Sequence, residues 1–115
     1  MIIAFRYKLK LGFFIFLKDK KNRPLIFIPI EQNEIETAKY MIESGLNLEI
    51  VDDEGMTALL YALKFNNSSL VRLMIRNGAQ INKYDINGYG AITWEIKNKN
   101  INLFSYLLNN NRSEE

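Results

Sequence analysis

Neither cysteine nor histidine occurs anywhere in the 115 residues. Without cysteine there is no disulfide framework, no thiolate nucleophile and no cysteine-ligated metal. Without histidine there is no Ser-His-Asp or Cys-His constellation, no imidazole-bound zinc and no side chain that naturally carries protons near neutral pH. Charge of one sign is scarce as well. Fifteen Lys and Arg stand against thirteen Asp and Glu, a net charge of +2, too small for nucleic-acid binding to follow from charge alone. No apolar run reaches the roughly 20 residues that span a bilayer. The most apolar stretch, residues 1–18, is interrupted by Arg6, Lys8 and Lys10. Residues 11–17 resemble the apolar part of a signal peptide, but Lys18, Asp19, Lys20 and Lys21 follow where a small-residue cleavage site belongs. The lack of cysteine suits an intracellular protein, so a cytoplasmic location is expected. Taken together, these absences favour a non-catalytic protein with no cofactor and no metal.

What is present is a period. Gly12, Gly45 and Gly78 stand 33 residues apart, as do Asp19, Asp52 and Asp85. Gly55 and Gly88 keep that spacing, with Asn22 in the slot before them. Aliphatic columns share the register: Leu9, Ile42, Ile75 and Leu108; Ile15, Leu48 and Ile81; Ile26, Leu59 and Ile92; Ile30, Leu63 and Ile96. So many columns in one register mark a duplicated structural unit. With 48% apolar and 24% charged residues, the chain has the composition of a single globular domain.

Residues 52–84 show the unit most clearly. DDEG opens it as a turn, in which Gly55 supplies a positive φ without steric cost. Thr57 is a natural N-cap. Ala58, Leu59, Ala62 and Leu63 then form the apolar stripe of a short helix. FNNSS breaks it, and Asn66 or Asn67 caps a second helix with Leu70, Val71, Leu73, Met74 and Ile75 on its apolar face. Gly78 stands where a left-handed residue ends such a helix. The unit reads turn, helix, helix, loop.

The segment DDEGMTALLYALKFNNSSLVRLMIRNGAQIN resembles an ankyrin repeat almost end to end. The signature of that family reads TALLYA here, with Leu60 in the position of its histidine. That histidine usually helps tie neighbouring turns together, so the link between repeats must be made in some other way. The resemblance implies an all-α solenoid of stacked helix-turn-helix units with hairpin-like connections. It is organised as a degenerate half-repeat over 1–18, repeats over 19–51, 52–84 and 85–111, and a tail over 112–115.

The flanking units depart from the pattern in readable ways. Pro24 suits the first turn of a helix, whereas Pro29 replaces the small residue corresponding to Ala62 and should leave that helix short or bent. Asn33 with Glu36 three residues later reads as a capping box. In the last unit Gly90 replaces the capping Thr57, and Glu95 replaces Ala62, so its carboxylate needs solvent or a partner. Asn111 stands in the slot of Gly78 and tolerates the same left-handed turn. Phe13, Phe14, Phe16, Tyr106 and Leu107 are expected to leave the ends of the stack apolar.

The resemblance also implies a protein-binding module that works through its turn tips and the exposed face of each first helix. The candidate partner-binding residues are Arg23, Asp53, Glu54, Met56, Lys64, Phe65, Tyr84, Asn87, Tyr89 and Lys97. Among them Met56, Phe65, Tyr84 and Tyr89 have the side chains that binding hot spots favour. Tyr61 and Trp94 share a register slot and are expected between repeats. Charge is uneven along the chain, at +6 over residues 1–23, −7 over 24–62 and +3 over the rest. In a stacked array that order becomes an alternation along the surface. Two other partners fit the sequence less well. One is a second copy of the chain, docked end to end through the terminal repeats. The other is nucleic acid, bound by the basic and aromatic N-terminus against the repulsion of the acidic block that follows.

Overall fold

The computed structural model describes residues 18–99 and 103–113, and these fold into six helices. They are α1 (Phe27–Glu31), α2 (Ile35–Glu43), α3 (Ala58–Lys64), α4 (Ser68–Arg76), α5 (Ala91–Asn98) and α6 (Phe104–Ser113). Successive pairs form hairpins. First helices pack on first helices, α1 on α3 and α3 on α5, while α2 packs on α4 in a second layer. Among the described residues the backbone pairs as a bridge only between Lys18 and Pro24. The half-repeat expected over residues 1–18 lies outside the described residues except for Lys18.

Local chemistry sets each boundary. The Thr57 side chain accepts from the Leu60 N–H at 3.2 Å and starts α3, and Asn67 does the same for Leu70 at 3.3 Å to start α4. Between the two helices Asn66 turns left-handed with φ 57°. Asn33 and Lys99 do so at the same slot of the neighbouring repeats, with φ 58° and 57°. Gly78 follows α4 with φ 91°, and the Ala79 N–H returns to the Met74 carbonyl. The central helix α3 buries every residue from 58 to 63, because it has a first helix on either side.

The flanking repeats correct four expectations. Asn33 is not the cap of α2. It is the left-handed residue before it, Glu34 takes the cap position, and no side chain caps the helix. Pro24 lies ahead of α1, where its carbonyl accepts from the Phe27 N–H. Pro29, by contrast, falls within α1 as expected of a shortened helix, which has 5 residues against 7 in α3. Asn111 does not turn the chain, since α6 runs through it to Ser113 and takes in part of the expected tail. Leu107 is fully buried rather than exposed, and Tyr106 is half-buried with the Arg72 guanidinium over its ring.

Candidate partner-binding face

Each turn is built on one aspartate. Oδ1 of Asp19 accepts from the N–H groups of Lys21 and Arg23, Oδ1 of Asp52 from Glu54 and Met56, and Oδ1 of Asp85 from Asn87 and Tyr89, all at 2.9 Å. Asp52 and Asp85 are buried beneath the turns they close. The backbone N–H of Gly55 and of Gly88 closes the same turn onto the aspartate carbonyl. Neighbouring tips are then tied together. The Asn22 amide donates to Asp53 Oδ1 at 2.6 Å, and the Ile86 N–H donates to the Glu54 carbonyl at 2.8 Å. The row of tips is therefore preorganised, which lowers the ordering cost of binding.

The chemistry of the row changes from tip to tip. The first presents Lys20 and Lys21, the second Asp53 and Glu54, and the third Ile86 and Asn87, all exposed. Ile86 at 72% and Tyr84 at 66% are exposed far beyond the core aliphatics. The Tyr84 ring lies over Gly90, close enough that a Cβ there would sit 2.8 Å from it.

First-helix side chains join the row from behind. Tyr61 stacks on Phe27 with ring centroids 4.2 Å apart and meets Phe65 at 4.9 Å. Arg23 donates through Nη1 to Glu31 Oε2 and to the Tyr61 hydroxyl, and through Nε to Asp19. Lys64 lies 5.8 Å above the Tyr61 ring. Burial, then the bond to Glu31, pushes the Tyr61 hydroxyl up to about 12. The Arg23 hydrogen bond, then that of Tyr61, holds the Glu31 carboxyl below its ordinary value. In the last repeat Tyr89 and Trp94 meet edge to face at 5.7 Å, Lys97 sits 4.9 Å from the Tyr89 centroid, and the indole N–H donates to Asp85 at 3.3 Å. An open groove of about 500 Å³ lies where the first helices end, lined by Glu31, Asn33, Phe65 and Ser69 among others.

Of the candidate residues, Asp53, Glu54, Lys64, Phe65, Tyr84, Asn87 and Lys97 are exposed, and Arg23 and Tyr89 are half-buried. Met56 is the exception. It is 3% exposed, because the residue that follows the turn passes under it and points into the core. Arg23 is engaged within the protein by Asp19, Glu31 and Tyr61. Ile86 is a turn-tip position by register, in the slot of Asp53, but was not counted among the candidate partner-binding residues. An isoleucine at a tip was the available signal. Among the described residues no group of three or more carboxylates could hold a metal ion, and no helix is long and apolar enough to cross a membrane.

Comparison with known families agrees with this geometry. A model of three ankyrin repeats matches residues 5–85 and again residues 26–114. No curated protein matches the chain significantly. The chain belongs to the ankyrin-repeat family, whose repeats generally serve as protein–protein interaction modules.

Proposed function

We propose that this ankyrin-repeat chain is a non-catalytic, cytoplasmic module that holds a partner protein against its row of turn tips and the adjoining first-helix face. The observation that carries the reading is the exposure of Ile86 and Tyr84 on a tip whose backbone is fixed by Asp85 and by the preceding tip. Large apolar side chains held in water on a rigid support suit the anchors of an interface. The row also runs from cationic through anionic to apolar tips. It therefore fits an extended partner surface that presents acidic, basic and apolar groups in that order.

Affinity capture from host lysate tests the reading. The wild-type chain is compared with a triple variant, Phe65→Ala, Tyr84→Ala and Ile86→Ala, and with a control, Glu36→Ala and Glu43→Ala, on the exposed side of α2. Circular dichroism checks that each variant folds. A protein retained by wild type and control but lost by the triple variant supports the tip row. Equal retention by all three moves the binding surface elsewhere.

A further inference from the structure

Two asparagines in the chain are followed by glycine, Asn77 by Gly78 and Asn87 by Gly88. That pairing has a chemistry of its own. The backbone nitrogen that follows an asparagine attacks the side-chain amide carbon, and glycine has no Cβ to obstruct the approach or the backbone rotation it needs. Every other asparagine precedes a residue with a side chain.

The fold treats the two pairs alike in their backbone and differently in their side chains. Both pairs are exposed, and a Cβ at either glycine would meet open space, so a ring has room to close. The Gly78 N–H donates to the Ile75 carbonyl at 3.1 Å and the Gly88 N–H to the Asp85 carbonyl at 2.9 Å. Each nitrogen therefore reacts only when its turn opens locally. Bonded neighbours restrain both turns. The N–H groups of Asn77 and Ala79 are held at the end of α4, and those of Asn87 and Tyr89 on Asp85 Oδ1. The side-chain amides differ. Asn77 donates through Nδ2 to the Leu73 carbonyl at 2.8 Å, which ties the group under attack to the preceding turn of α4. The Asn87 amide makes no hydrogen bond among the described residues.

We propose that the fold makes Asn87, and not Asn77, a site of spontaneous deamidation, by which the third tip acquires a carboxylate. The Gly88 nitrogen bonds to Asn87 Cγ, the Cγ–Nδ2 bond breaks, and ammonia leaves with the proton that Gly88 gives up. Water, the one co-reactant, then opens the succinimide. Its attack at Cγ leaves aspartate on an unchanged backbone. Its attack at the main-chain carbonyl carbon leaves isoaspartate, with the chain rerouted through the side chain. Asn87 shares its slot with Glu54, so the new carboxylate stands where the second tip already carries one, and the net charge falls from +2 by one. Isoaspartate also lengthens the backbone between the two N–H groups that Asp85 holds, and so loosens the turn. The effect on a partner rests on the tip-row reading, whereas the reaction does not.

The full chain is kept folded in warm, mildly alkaline buffer, beside a sample unfolded in guanidinium chloride. Both are sampled over days, digested and mapped by mass spectrometry, with synthetic peptides as standards that separate isoaspartate from aspartate. In the folded chain Asn87 is expected to convert roughly fivefold or more faster than Asn77, the factor that one held amide hydrogen bond gives. Both products are expected at position 87, and the two sites are expected to converge in the unfolded sample. No variant is needed, so no folding defect clouds the result. Asn77 converting as fast as Asn87 in the folded chain overturns the proposal, as does an Asn87 that stays intact there while it converts in the unfolded sample. A preference that persists unchanged in denaturant also overturns it, by assigning the difference to flanking sequence. Aspartate without isoaspartate overturns the ring route.

Discussion

Tyr61 donates its hydroxyl proton to Glu31 over 2.9 Å, across the boundary between two repeats, while the same hydroxyl accepts from Arg23 at 2.8 Å. Leu60, in the slot where the family signature has its histidine, is buried and apolar and makes no such link. The coupling passes instead through Tyr61 on the first helix, and through the Asn22–Asp53 and Ile86–Glu54 contacts between tips. A repeat array is stable only as far as its neighbours are coupled.

Tyr61→Phe isolates that coupling. The substitution keeps the ring stacked on Phe27 and removes only the hydroxyl. Loss of the two hydrogen bonds is expected to cost about 1–2 kcal/mol. Tyr61→Ala also leaves a void between the first helices and is expected to cost about 3–5 kcal/mol. Urea denaturation of the three proteins measures both differences, and a Phe variant as stable as wild type would remove the hydroxyl from the coupling.

The order of the units was legible because turn chemistry and apolar spacing repeat with the same period. Thr57, Asn67, Gly55 and Gly78 each do what their residue types favour. The errors came where several side chains compete for one local role. Asn33 and Glu36 fit a capping box in sequence, but Asn33 occupies the left-handed slot and offers its side-chain oxygen to Asn67 in the next repeat. Met56 was taken for a tip residue because it follows a turn, and one position further along the backbone places it in the core. Ile86 was legible as a turn-tip position from the register, but its exposure as an apolar side chain was not. Periodicity shows which slots repeat, but an exposed isoleucine looks like a core isoleucine until the neighbours are placed.

Gly55→Ala and Gly88→Ala separate backbone strain from crowding. Both glycines have positive φ, 74° and 79°, a conformation that costs a residue with a Cβ about 1–2 kcal/mol. A Cβ at Gly88 meets open space, whereas one at Gly55 lies 3.1 Å from the Ile86 nitrogen, which is held in its bond to Glu54. Gly55→Ala is therefore expected to be the more destabilising, by about 1 kcal/mol or more as its contact between tips is forced apart. Thermal melts of the pair check the order, and equal losses would show that the tips yield without cost.

Gly90→Ala is expected to affect binding more than folding. Gly90 has a negative φ of −103°, which alanine adopts readily. The obstacle is the exposed Tyr84 ring, which can swing away into water. Stability is expected to change by less than about 1 kcal/mol, while a partner that uses Tyr84 in its observed position is retained less well. Thermal unfolding and affinity capture on the same sample separate the two effects. Unchanged capture would mean that the Tyr84 position over Gly90 is irrelevant to the partner.

Glu95 gives the fold a pH dependence of unusual sign. It stands in the slot of Ala62, fully within the core, where Oε1 accepts from the Leu103 N–H at 3.1 Å and Oε2 has no hydrogen-bond partner among the described residues. Burial raises its pKa above the ordinary 4.5, and the Leu103 hydrogen bond offsets part of that rise. Between 4.5 and the raised value the folded chain holds a proton that the unfolded chain has lost, so stability falls as pH increases through that window and levels off above it. Glu31 acts in the opposite direction. Its lowered pKa stabilises the fold above the ordinary value, and that contribution is lost as pH drops through the folded one. Glu95→Gln keeps an acceptor for Leu103 and removes the ionisation. It is expected to stabilise the protein at pH 7 by about 1–2 kcal/mol, to make little difference at pH 4, and to remove the decline between them. Urea midpoints for wild type and variant across that range measure the difference. A constant offset at every pH would show that the substitution acts through packing and not through the proton on Glu95.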